Sequence, residues 1–465
     1  MQIESRSIDF IPDSERYGTP KRLFSLWISS AASVLTIAIG TLGILGGLGF
    51  AWTAVAIICG NAIGTVFMAA HSAQGPHLGI PQMIQSRAQF GVLGAGIPLI
   101  VVVVVYIVFV AAQAVMVRGS INAFLPVGNN TAIVIFGIWT CLIAFVGYEL
   151  IHRIGYYLTV ASTILLVIAA YLTVHHAVGT VSIWPHASNF KSTVFLAVFA
   201  QAVSGPLGYA PIVADYSRYL PSTVSVSKTF LYSYLGMLIG STLTMLLGAL
   251  LATFSVDPTA DPGGAVAQLF GSYRLLAYLI VIVGITQPNV LCVYSAYMST
   301  ATVVSGFHGM THVRHFTKLL IMAAVTAAAT VIALSTQYNF DAYFRDILVA
   351  QVYVLVPWSS INLVDYYFVR RGKYDIGAIF DVGGRYGRYN FKTIFVYGFS
   401  LVVETPFFDL SFYRGPIARA IGGDITWLPA LIVPAILYWY VNRAPSGGEG
   451  RQGGARSDAV PGGML

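Results

Sequence analysis

The stretch Phe195 to Pro221, FLAVFAQAVSGPLGYAPIVADYSRYLP, decides the fold. Its apolar run can cross a bilayer, because roughly 20 helical residues at about 1.5 Å each span about 30 Å of hydrocarbon. Pro211 lacks the N–H that would bond the carbonyl four residues earlier, and its ring clashes with that carbonyl. The turns before it are loosened by Gly205, Pro206 and Gly208. The sequence therefore predicts a membrane helix that is broken near its middle.

Backbone that is broken at membrane depth survives only inside protein or against a watery cavity, because lipid offers it no hydrogen-bond partner. We therefore expect a binding site for a small solute at this break. The polar side chains of Gln201 and Ser204 lie beside the break in the sequence and fit such a site.

The composition is that of a polytopic membrane protein, with 57% hydrophobic residues, 9% charged residues and a mean hydropathy of +0.75. The net charge of +7 comes from Lys and Arg scattered between apolar runs, so no basic face for nucleic acid is formed. Cys59, Cys141 and Cys292 lie in separate apolar runs, which argues against a disulfide framework or a zinc site. We interpret them as small packing residues.

Apolar runs of spanning length number about twelve. Their approximate cores are 24–49, 51–70, 97–123, 132–149, 154–176, 193–213, 228–253, 273–302, 316–334, 342–368, 391–409 and 425–441. An even number places both termini on one side, and most Lys and Arg residues then share that side, which predicts cytoplasmic termini in the inner or plasma membrane. Residues 1–23 lack the apolar core of a signal peptide and are expected to be retained, and residues 442–465 are expected to be a disordered tail.

The spans divide into two halves of five, 24–176 and 193–368, followed by two extra helices in 391–441. Because five is odd, the second half is inverted relative to the first, which is the plan of secondary transporters whose halves each begin with a broken helix. The matching interruption of the first span contains small and polar residues without any proline: Ser29, Ser30, Ser33 and Gly40.

Between the second and third spans lies the stretch 71–91, HSAQGPHLGIPQMIQSRAQFG. Gly75-Pro76 and Gly79-Ile80-Pro81 stop any helix before residue 82. Residues 82–90 are predicted to form a short amphipathic helix that packs under the bundle on its cytoplasmic face.

Two amides within the spans are candidate ligands for a solute. Gln113 has Phe109 four residues earlier on the same helical face, and Asn289 follows Pro288, which opens its helix locally. A planar neutral solute with N–H and C=O edges, such as a nucleobase or ureide, could pair with these amides while its ring stacks on Phe109. The alternative is that the amides only tie helices together.

Intramembrane charges are scarce, which favours a neutral substrate over an amino acid or a sugar acid. The only candidates are Glu404 in the eleventh span, Glu149 near the end of the fourth and Asp346 in the tenth. Each lies outside the two broken spans.

Three residues are candidates for gating or structure. Asp215 and Arg218 are three residues apart at the end of the sixth span, where they could form a gate latch or a plain interfacial ion pair. Pro357 kinks the tenth span and could serve as a hinge or as a fixed bend. The basic run that ends this span is expected to meet anionic lipid headgroups: Arg370, Arg371 and Lys373.

His308, His312 and His315 have a spacing that could hold a metal, which would suit a membrane-embedded metalloenzyme or metal sensor. Gly306 and Gly309 disfavour a helix there and no carboxylate is near, so a solvated loop is preferred. A passive channel is disfavoured because several spans lack polar stripes.

Five segments spread over nearly the whole chain carry a family resemblance. They are RSIDFIPDSERYGTP (6–20), QGPHLGIPQMIQSRAQFG (74–91), DYSRYLP (215–221), PWSSINLVDYYFVRRGKYDIG (357–377) and RGPIARAIGGDITW (414–427). Through them the chain resembles the nucleobase-cation-symport-1 family, in particular its purine-cytosine permease branch. The resemblance implies a leucine-transporter-type fold and symport of a nucleobase, or of a related heterocycle such as allantoin or a hydantoin, with a cation and without a cofactor.

The resemblance also implies a substrate site on spans one, three, six and eight. It assigns Phe109, Gln113 and Asn289 to that site, whereas Gly205-Pro206 stands where the family usually has a large aromatic residue, with Tyr209 a turn later. Sodium-coupled relatives carry hydroxyls in the eighth span where this chain has Val283 and Gly284; the nearest hydroxyl is that of Thr286, which favours protons over sodium. The sequence leaves the oligomeric state open.

Overall fold

The computed structural model describes residues 8–146, 189–253, 262–309 and 312–443, together with individual positions between 157 and 175. Most of the predicted fifth span lies outside these residues, as do Glu149 and residues 444–465. The described part is helical, and its sole β contact is an isolated bridge between Asp409 and Arg414.

Eighteen named helices follow one another along the described part of the chain. They are α1 Lys21–Ala31, α2 Val34–Leu45, α3 Phe50–Ser72, α4 Gly75–Leu78, α5 Gln82–Phe90, α6 Gly96–Phe124, α7 Asn129–Val146, α8 Ser192–Leu207, α9 Val213–Ser217, α10 Val226–Leu251, α11 Pro262–Leu269, α12 Arg274–His308, α13 His315–Thr336, α14 Phe340–Val364, α15 Ile376–Phe380, α16 Phe391–Glu404, α17 Pro416–Ile421 and α18 Trp427–Asn442.

The chain is an all-α polytopic membrane protein, as the composition predicts. Within the described residues, seven helical segments are long and apolar enough to cross a membrane, or eight if a bent pair counts as one span. Helices α8 and α18 are apolar but shorter. The agreement with the predicted spans is close where helices are straight: the predicted core 97–123 is α6, Gly96–Phe124.

The first predicted break is confirmed. Helices α1 and α2 meet at an angle of 59° across Ala32 and Ser33. The Ser33 hydroxyl caps α2 by accepting a 3.3 Å hydrogen bond from the Thr36 N–H. A serine cap satisfies an N–H that the new helix start would leave unpaired, so this break needs no proline.

The second predicted break is also confirmed. Helix α8 runs through Pro206 and ends at Leu207, residues 208–212 form turns, and α9 begins at Val213. Pro206 removes one hydrogen bond from the helix, yet the helix continues through it. The chain has left the helix before Pro211, which lacks the N–H that a further helical turn would need. The chain therefore turns between two helical pieces inside the bundle.

Close packing of glycines holds the broken helices against their neighbours. A Cβ on Gly40 in α2 would lie 2.0 Å from the Met245 carbonyl oxygen of α10, and one on Gly248 in α10 would lie 2.0 Å from the Ile37 carbonyl oxygen. Gly64 brings α3 equally close to α8, since its Cβ would meet the Val203 carbonyl oxygen at 2.3 Å. Small residues allow such backbone approach in membrane bundles.

The short helix predicted at 82–90 is present as α5, but the expectation that it is amphipathic is wrong. All nine of its residues are buried. Arg87 donates hydrogen bonds to the Thr302 carbonyl (2.8 Å) and to Ser305 Oγ (2.6 Å) near the end of α12, and burial lowers the pKa of its guanidinium to about 10. Helix α5 is thus packed inside the protein on every side and has no solvated face.

Pro357 lies within α14, and a π-helical turn, Asp365–Val369, follows that helix. The proline therefore lies inside a continuous helix and does not end it. Its role as a hinge stays a prediction.

Candidate functional site

A narrow cavity of about 50 Å³ lies between the two broken helices. Its walls come from α1, α2, α6, the end of α8, α10, α12 and α14. The residues that line it are Ala31, Ser33, Leu35, Thr36, Ile39, Tyr106, Phe109, Gln113, Gly205, Gly208, Tyr209, Ser241, Met245, Cys292, Leu348 and Gln351. No residue in this set carries a charge at neutral pH.

Helix α6 presents a ring and an amide to this cavity, as the sequence predicts. Phe109 and Gln113 both line it. The Gln113 amide nitrogen donates to the Phe109 carbonyl (3.2 Å) and to Cys292 Sγ (3.8 Å), while its Oε1 is buried with no protein partner. A buried amide oxygen without a partner costs about 1–3 kcal/mol, so this atom is available to a ligand or to water.

The turns of the second break are held from two sides. The Tyr106 hydroxyl donates a 2.9 Å hydrogen bond to the Gly208 carbonyl, and the Tyr209 hydroxyl donates to the Ser30 carbonyl at 3.3 Å. The Tyr209 ring also packs edge-on against Trp27, with ring centroids 5.6 Å apart. Tyr209 therefore ties the break of the second half to the helix that precedes the break of the first.

Ser204 holds two residues of the cavity wall by hydrogen bonds. Its hydroxyl donates to the Leu348 carbonyl (2.8 Å) and accepts from the Gln351 side-chain nitrogen (2.7 Å). Gln351 lines the cavity, and Ser204 does not. The predicted Ser204 thus fixes a residue that faces the cavity.

Asn289 is fully buried beside the cavity and does not line it. Its Nδ2 donates to the Val110 carbonyl of α6 at 3.2 Å, and its Oδ1 has no protein partner. Val110 is one turn from Gln113, so both predicted amides lie within one stretch of the α6–α12 interface. The sequence left open whether these amides only tie helices together. Asn289 does tie α12 to α6 through its hydrogen bond to Val110.

Gln201 lies in a different cavity. This second cavity measures about 340 Å³ and places Gln201 opposite Asp409 and Arg414, whose Oδ1 and Nε are 3.3 Å apart. The expectation that Gln201 joins the same site as Ser204 and Gly205 is therefore wrong. One turn of α8 separates Gln201 from Gly205, and Asp409, Arg414 and Gly422 line the cavity that contains Gln201.

Asp215 and Arg218 are buried, with 2% and 0% of their surface exposed, so the interpretation as a weak surface pair is wrong. Asp215 Oδ1 accepts from the Gln82 N–H at 2.7 Å, and Arg218 Nη1 donates to the Asp9 carbonyl at 3.1 Å. Arg218 Nε also donates to the Asp215 carbonyl at 3.3 Å. The two residues join α9, the start of α5 and the N-terminal segment in one buried network.

The three histidines lie around the junction of α12 and α13. His308 ends α12, His315 begins α13, and His312 lies 3.5 Å from Asp9. The expectation that Gly306 and Gly309 disfavour a helix is wrong for Gly306, through which α12 continues, whereas Gly309 ends that helix in a left-handed conformation. Within the described part of the chain, no group of three or more His, Cys, Asp or Glu residues is placed to hold a metal.

The two membrane carboxylates that the structure describes, Asp346 and Glu404, do not line the cavity. Asp346 accepts from the N–H and the hydroxyl of Ser411, and Glu404 is buried at the end of α16 with neither carboxyl oxygen hydrogen-bonded. Neither residue lines the cavity between the breaks.

Several lining residues were missed from the sequence. Tyr106 could have been found, because it is three residues before Phe109 and seven before Gln113 on one face of a helix. Cys292, interpreted as packing, could have been found one turn after Asn289, and it contacts Gln113. Gln351 carries no such signal, because its helix belongs to a distant part of the chain.

Comparison with known proteins gives consistent matches. Residues 10–428 match the model of a family described as permease for cytosine/purines, uracil, thiamine, allantoin. The chain is 41% identical to the putative purine-cytosine permease YxlA of Bacillus subtilis (strain 168), covering 94% of this chain and 96% of that protein. It is 26% identical to the purine-cytosine permease fcyB of Emericella nidulans, covering 91% of this chain and 85% of that protein.

Solved structures share the fold. Mhp1, a nucleobase-cation-symport-1 family transporter in a closed conformation with bromovinylhydantoin bound, superposes with a TM-score of 0.75 at 18% identity, covering 94% of each chain. The inward-facing conformation of Mhp1 gives a TM-score of 0.71 at 18% identity, covering 94% of this chain and 95% of that chain. At this identity the likeness supports the fold alone.

Proposed function

The chain belongs to the family of permeases for cytosine/purines, uracil, thiamine and allantoin, and on that premise we propose that it is a symporter for a neutral nucleobase, such as cytosine or a purine. The family membership makes it a membrane transporter for nucleobases or related heterocycles, not an enzyme. The particular substrate, the coupling cation and the residues that bind them are the proposal.

The observation that carries the proposal is the cavity between the two breaks. Phe109 lines this cavity, and the Gln113 Oε1 is buried without a protein partner. A nucleobase N–H could donate to this oxygen while its ring stacks on Phe109. Such pairing would replace a missing hydrogen bond, which is why binding would favour a ring with polar edges over a plain hydrocarbon.

The uncharged lining supports a neutral substrate. Its polar groups are hydroxyls, a thiol and two amides, which are too few and too weak to replace the hydration of an ion. A carboxylate or ammonium substrate would need an opposite charge in the cavity. We therefore propose that Phe109, Gln113, Gly205 and Tyr209 contact the substrate, with Ser204 and Asn289 holding the walls.

The two breaks fit alternating access. Each proposed repeat, 24–176 and 193–368, begins with a helix that is interrupted beside the cavity. The uncoupled helical pieces could move separately on either side of a fixed site. With this arrangement we propose that both termini face the cytoplasm and that the buried pair Asp215 and Arg218 moves with the inner gate.

We propose that protons, not sodium ions, drive uptake. Thr286 carries the hydroxyl nearest to the positions where sodium-coupled relatives have hydroxyls in the eighth span. It donates to the Ile282 carbonyl at 2.8 Å, and its oxygen accepts a 3.3 Å hydrogen bond from Trp139 Nε1. The positions before Thr286, Val283 and Gly284, have no side-chain oxygen. Either cation would suffice energetically, because one charge crossing 100 mV releases about 2.3 kcal/mol, roughly a fifty-fold accumulation.

A second candidate substrate class is a ureide or hydantoin. The family description includes allantoin, and the Mhp1 structure with the same fold holds a hydantoin. These rings have the same alternating N–H and C=O edges as nucleobases. Competition between unlabelled allantoin, hydantoins and nucleobases for uptake separates the two classes.

The experiment that tests the proposal is uptake of radiolabelled cytosine and adenine by cells that lack their own nucleobase permeases. We expect saturable uptake that an imposed proton gradient stimulates and that sodium leaves unchanged. Absence of uptake for every nucleobase, ureide and hydantoin would reject the proposal. Uptake that survives collapse of both gradients would instead indicate a passive channel.

A further inference from the structure

The turns that follow α14 and the end of α18 form a basic cavity apart from the candidate substrate site. It measures about 550 Å³. It is lined by four cations and three apolar or aromatic residues: Phe368, Val369, Arg370, Arg371, Lys373, Trp439 and Arg443. None of these residues contributes to the cavity between the broken helices.

Within the part of the chain that the structure describes, Arg370 is the one cation of the four that pairs with a carboxylate. Arg370 Nε lies 3.0 Å from both oxygens of the buried Asp365, and Arg370 Nη2 donates to the Ala88 carbonyl at 3.0 Å. Among the described residues, no carboxylate lies within 4.0 Å of the charged groups of Arg371, Lys373 or Arg443. Three exposed cations therefore border one cavity without an opposite charge from any residue that the structure describes.

A tight turn fixes two of these cations. Arg371 has a φ of 52° and is the only non-glycine residue with positive φ in the described part of the chain. The Gly372 N–H bonds the Tyr366 carbonyl at 2.9 Å, and the Lys373 N–H bonds the Arg370 carbonyl at 3.0 Å. A non-glycine residue in this left-handed conformation is strained, so the hydrogen bonds of the turn hold it in place and keep both side chains on the cavity wall.

The remainder of the wall is apolar and exposed. Phe368 is 64% exposed and Trp439 43% exposed. The Arg443 guanidinium lies 5.1 Å from the Trp439 ring centre and 4.6 Å from that of Tyr440. Trp, Tyr and Arg at the ends of membrane helices are typical of the boundary between hydrocarbon and headgroups.

We propose that this cavity is a binding site for one anionic phospholipid. Its phosphate would lie among Arg371, Lys373 and Arg443, and its acyl chains would run along Phe368 and Trp439. Charge complementarity favours an anionic headgroup over a zwitterionic one, because no carboxylate among the described residues neutralises Arg371, Lys373 or Arg443. The apolar wall favours a lipid over free phosphate, because the acyl chains of a lipid can pack against it and free phosphate has no apolar group.

The test is native mass spectrometry of the full chain in detergent with added phosphatidylglycerol or phosphatidylcholine. The variant R371Q/K373Q/R443Q removes the three free cations. Its matched control, R314Q/R388Q/K392Q, removes three exposed cations that do not line the cavity. We expect the wild type and the control to retain phosphatidylglycerol over phosphatidylcholine, and the cavity variant to bind it about a hundredfold more weakly.

Equal retention of phosphatidylglycerol by the cavity variant and the control would overturn the proposal. Displacement of the lipid by millimolar inorganic phosphate would overturn it in favour of a free-anion site. Lipid binding that requires removal of residues 444–465 would show that the chain's own tail occupies the cavity. Should the triple variant not fold, R371Q, K373Q and R443Q are compared singly, with about fivefold weaker binding expected for each.

Discussion

The Tyr106 hydroxyl on α6 donates a 2.9 Å hydrogen bond to the carbonyl of Gly208, the first residue after α8 ends. A side chain of one helix thereby satisfies a carbonyl that the broken helix leaves without its usual partner. Lipid could not do this, so the break depends on protein on this side. The same tyrosine lines the cavity, which links the stability of the break to the shape of the candidate site.

The first prediction concerns this bond. Tyr106→Phe keeps the ring and removes only the hydroxyl, leaving the Gly208 carbonyl unpaired. We expect a loss of stability of about 1–3 kcal/mol together with slower transport. Thermal unfolding in detergent and initial uptake rates measure the two effects. Unchanged stability and uptake would show that water satisfies the carbonyl equally well.

The second prediction separates the two amides. Gln113 faces the cavity, whereas Asn289 lies behind it and donates to the Val110 carbonyl. We expect Gln113→Ala to raise the KM for uptake at least about tenfold with little change in unfolding temperature. Asn289→Ala should mainly lower the unfolding temperature. The reverse pattern would exchange their roles.

A matched amide serves as the control for this comparison. Gln337 is also buried, and its side chain donates to Asn130 Oδ1 at 2.7 Å, away from the cavity. Gln337→Ala should leave the KM unchanged.

The third prediction concerns the close contact between α2 and α10. In Gly248→Ala the new Cβ would lie 2.0 Å from the Ile37 carbonyl oxygen, so the backbones must separate. We expect a loss of folded protein, measured as the monodisperse yield after extraction. Gly398→Ala is the control, because no neighbouring atom lies within 4 Å of its Cβ and alanine favours helix. Equal yields would mean that the bundle relaxes around the contact.

The fourth prediction uses the cavity thiol. Cys292 lines the cavity and is buried, whereas Cys59 is exposed on α3. In a variant with Cys59 and Cys141 replaced by alanine, we expect a small thiol reagent to inactivate transport and substrate to slow the inactivation. Cys292→Ser in that background should resist the reagent. Substrate that gives no protection would place the site elsewhere.

The sequence predicts the position of the second break because the signal is local: Pro211 and the glycines before it act on their own helix. It also predicts the first break, where Ser33 supplies a cap instead of a proline. The face of α6 is equally accessible, since Phe109 and Gln113 share it by spacing alone. These features depend on residues that are neighbours in the chain.

What the sequence cannot give is which distant segment covers a residue. Gln201 is one turn from Gly205, yet it lines another cavity together with Asp409 and Arg414. Helix α5 has a mixed polar pattern, yet Arg87 finds partners at the end of α12 and is buried. Gln351 lines the cavity and is held there by a hydrogen bond to Ser204, a residue 147 positions away in the sequence. Such pairings exist only once the bundle has assembled.

The central claim is that an uncharged ring binds in the cavity between the two broken helices. Equilibrium binding of radiolabelled cytosine and adenine to the purified protein, measured beside the folded Gln113→Ala and Gln337→Ala variants, tests it most directly. We expect saturable binding of at least one of these bases to the wild type and to Gln337→Ala, and affinity at least about tenfold weaker in Gln113→Ala. Binding of equal affinity in all three proteins, or no saturable binding of either base, would contradict the account.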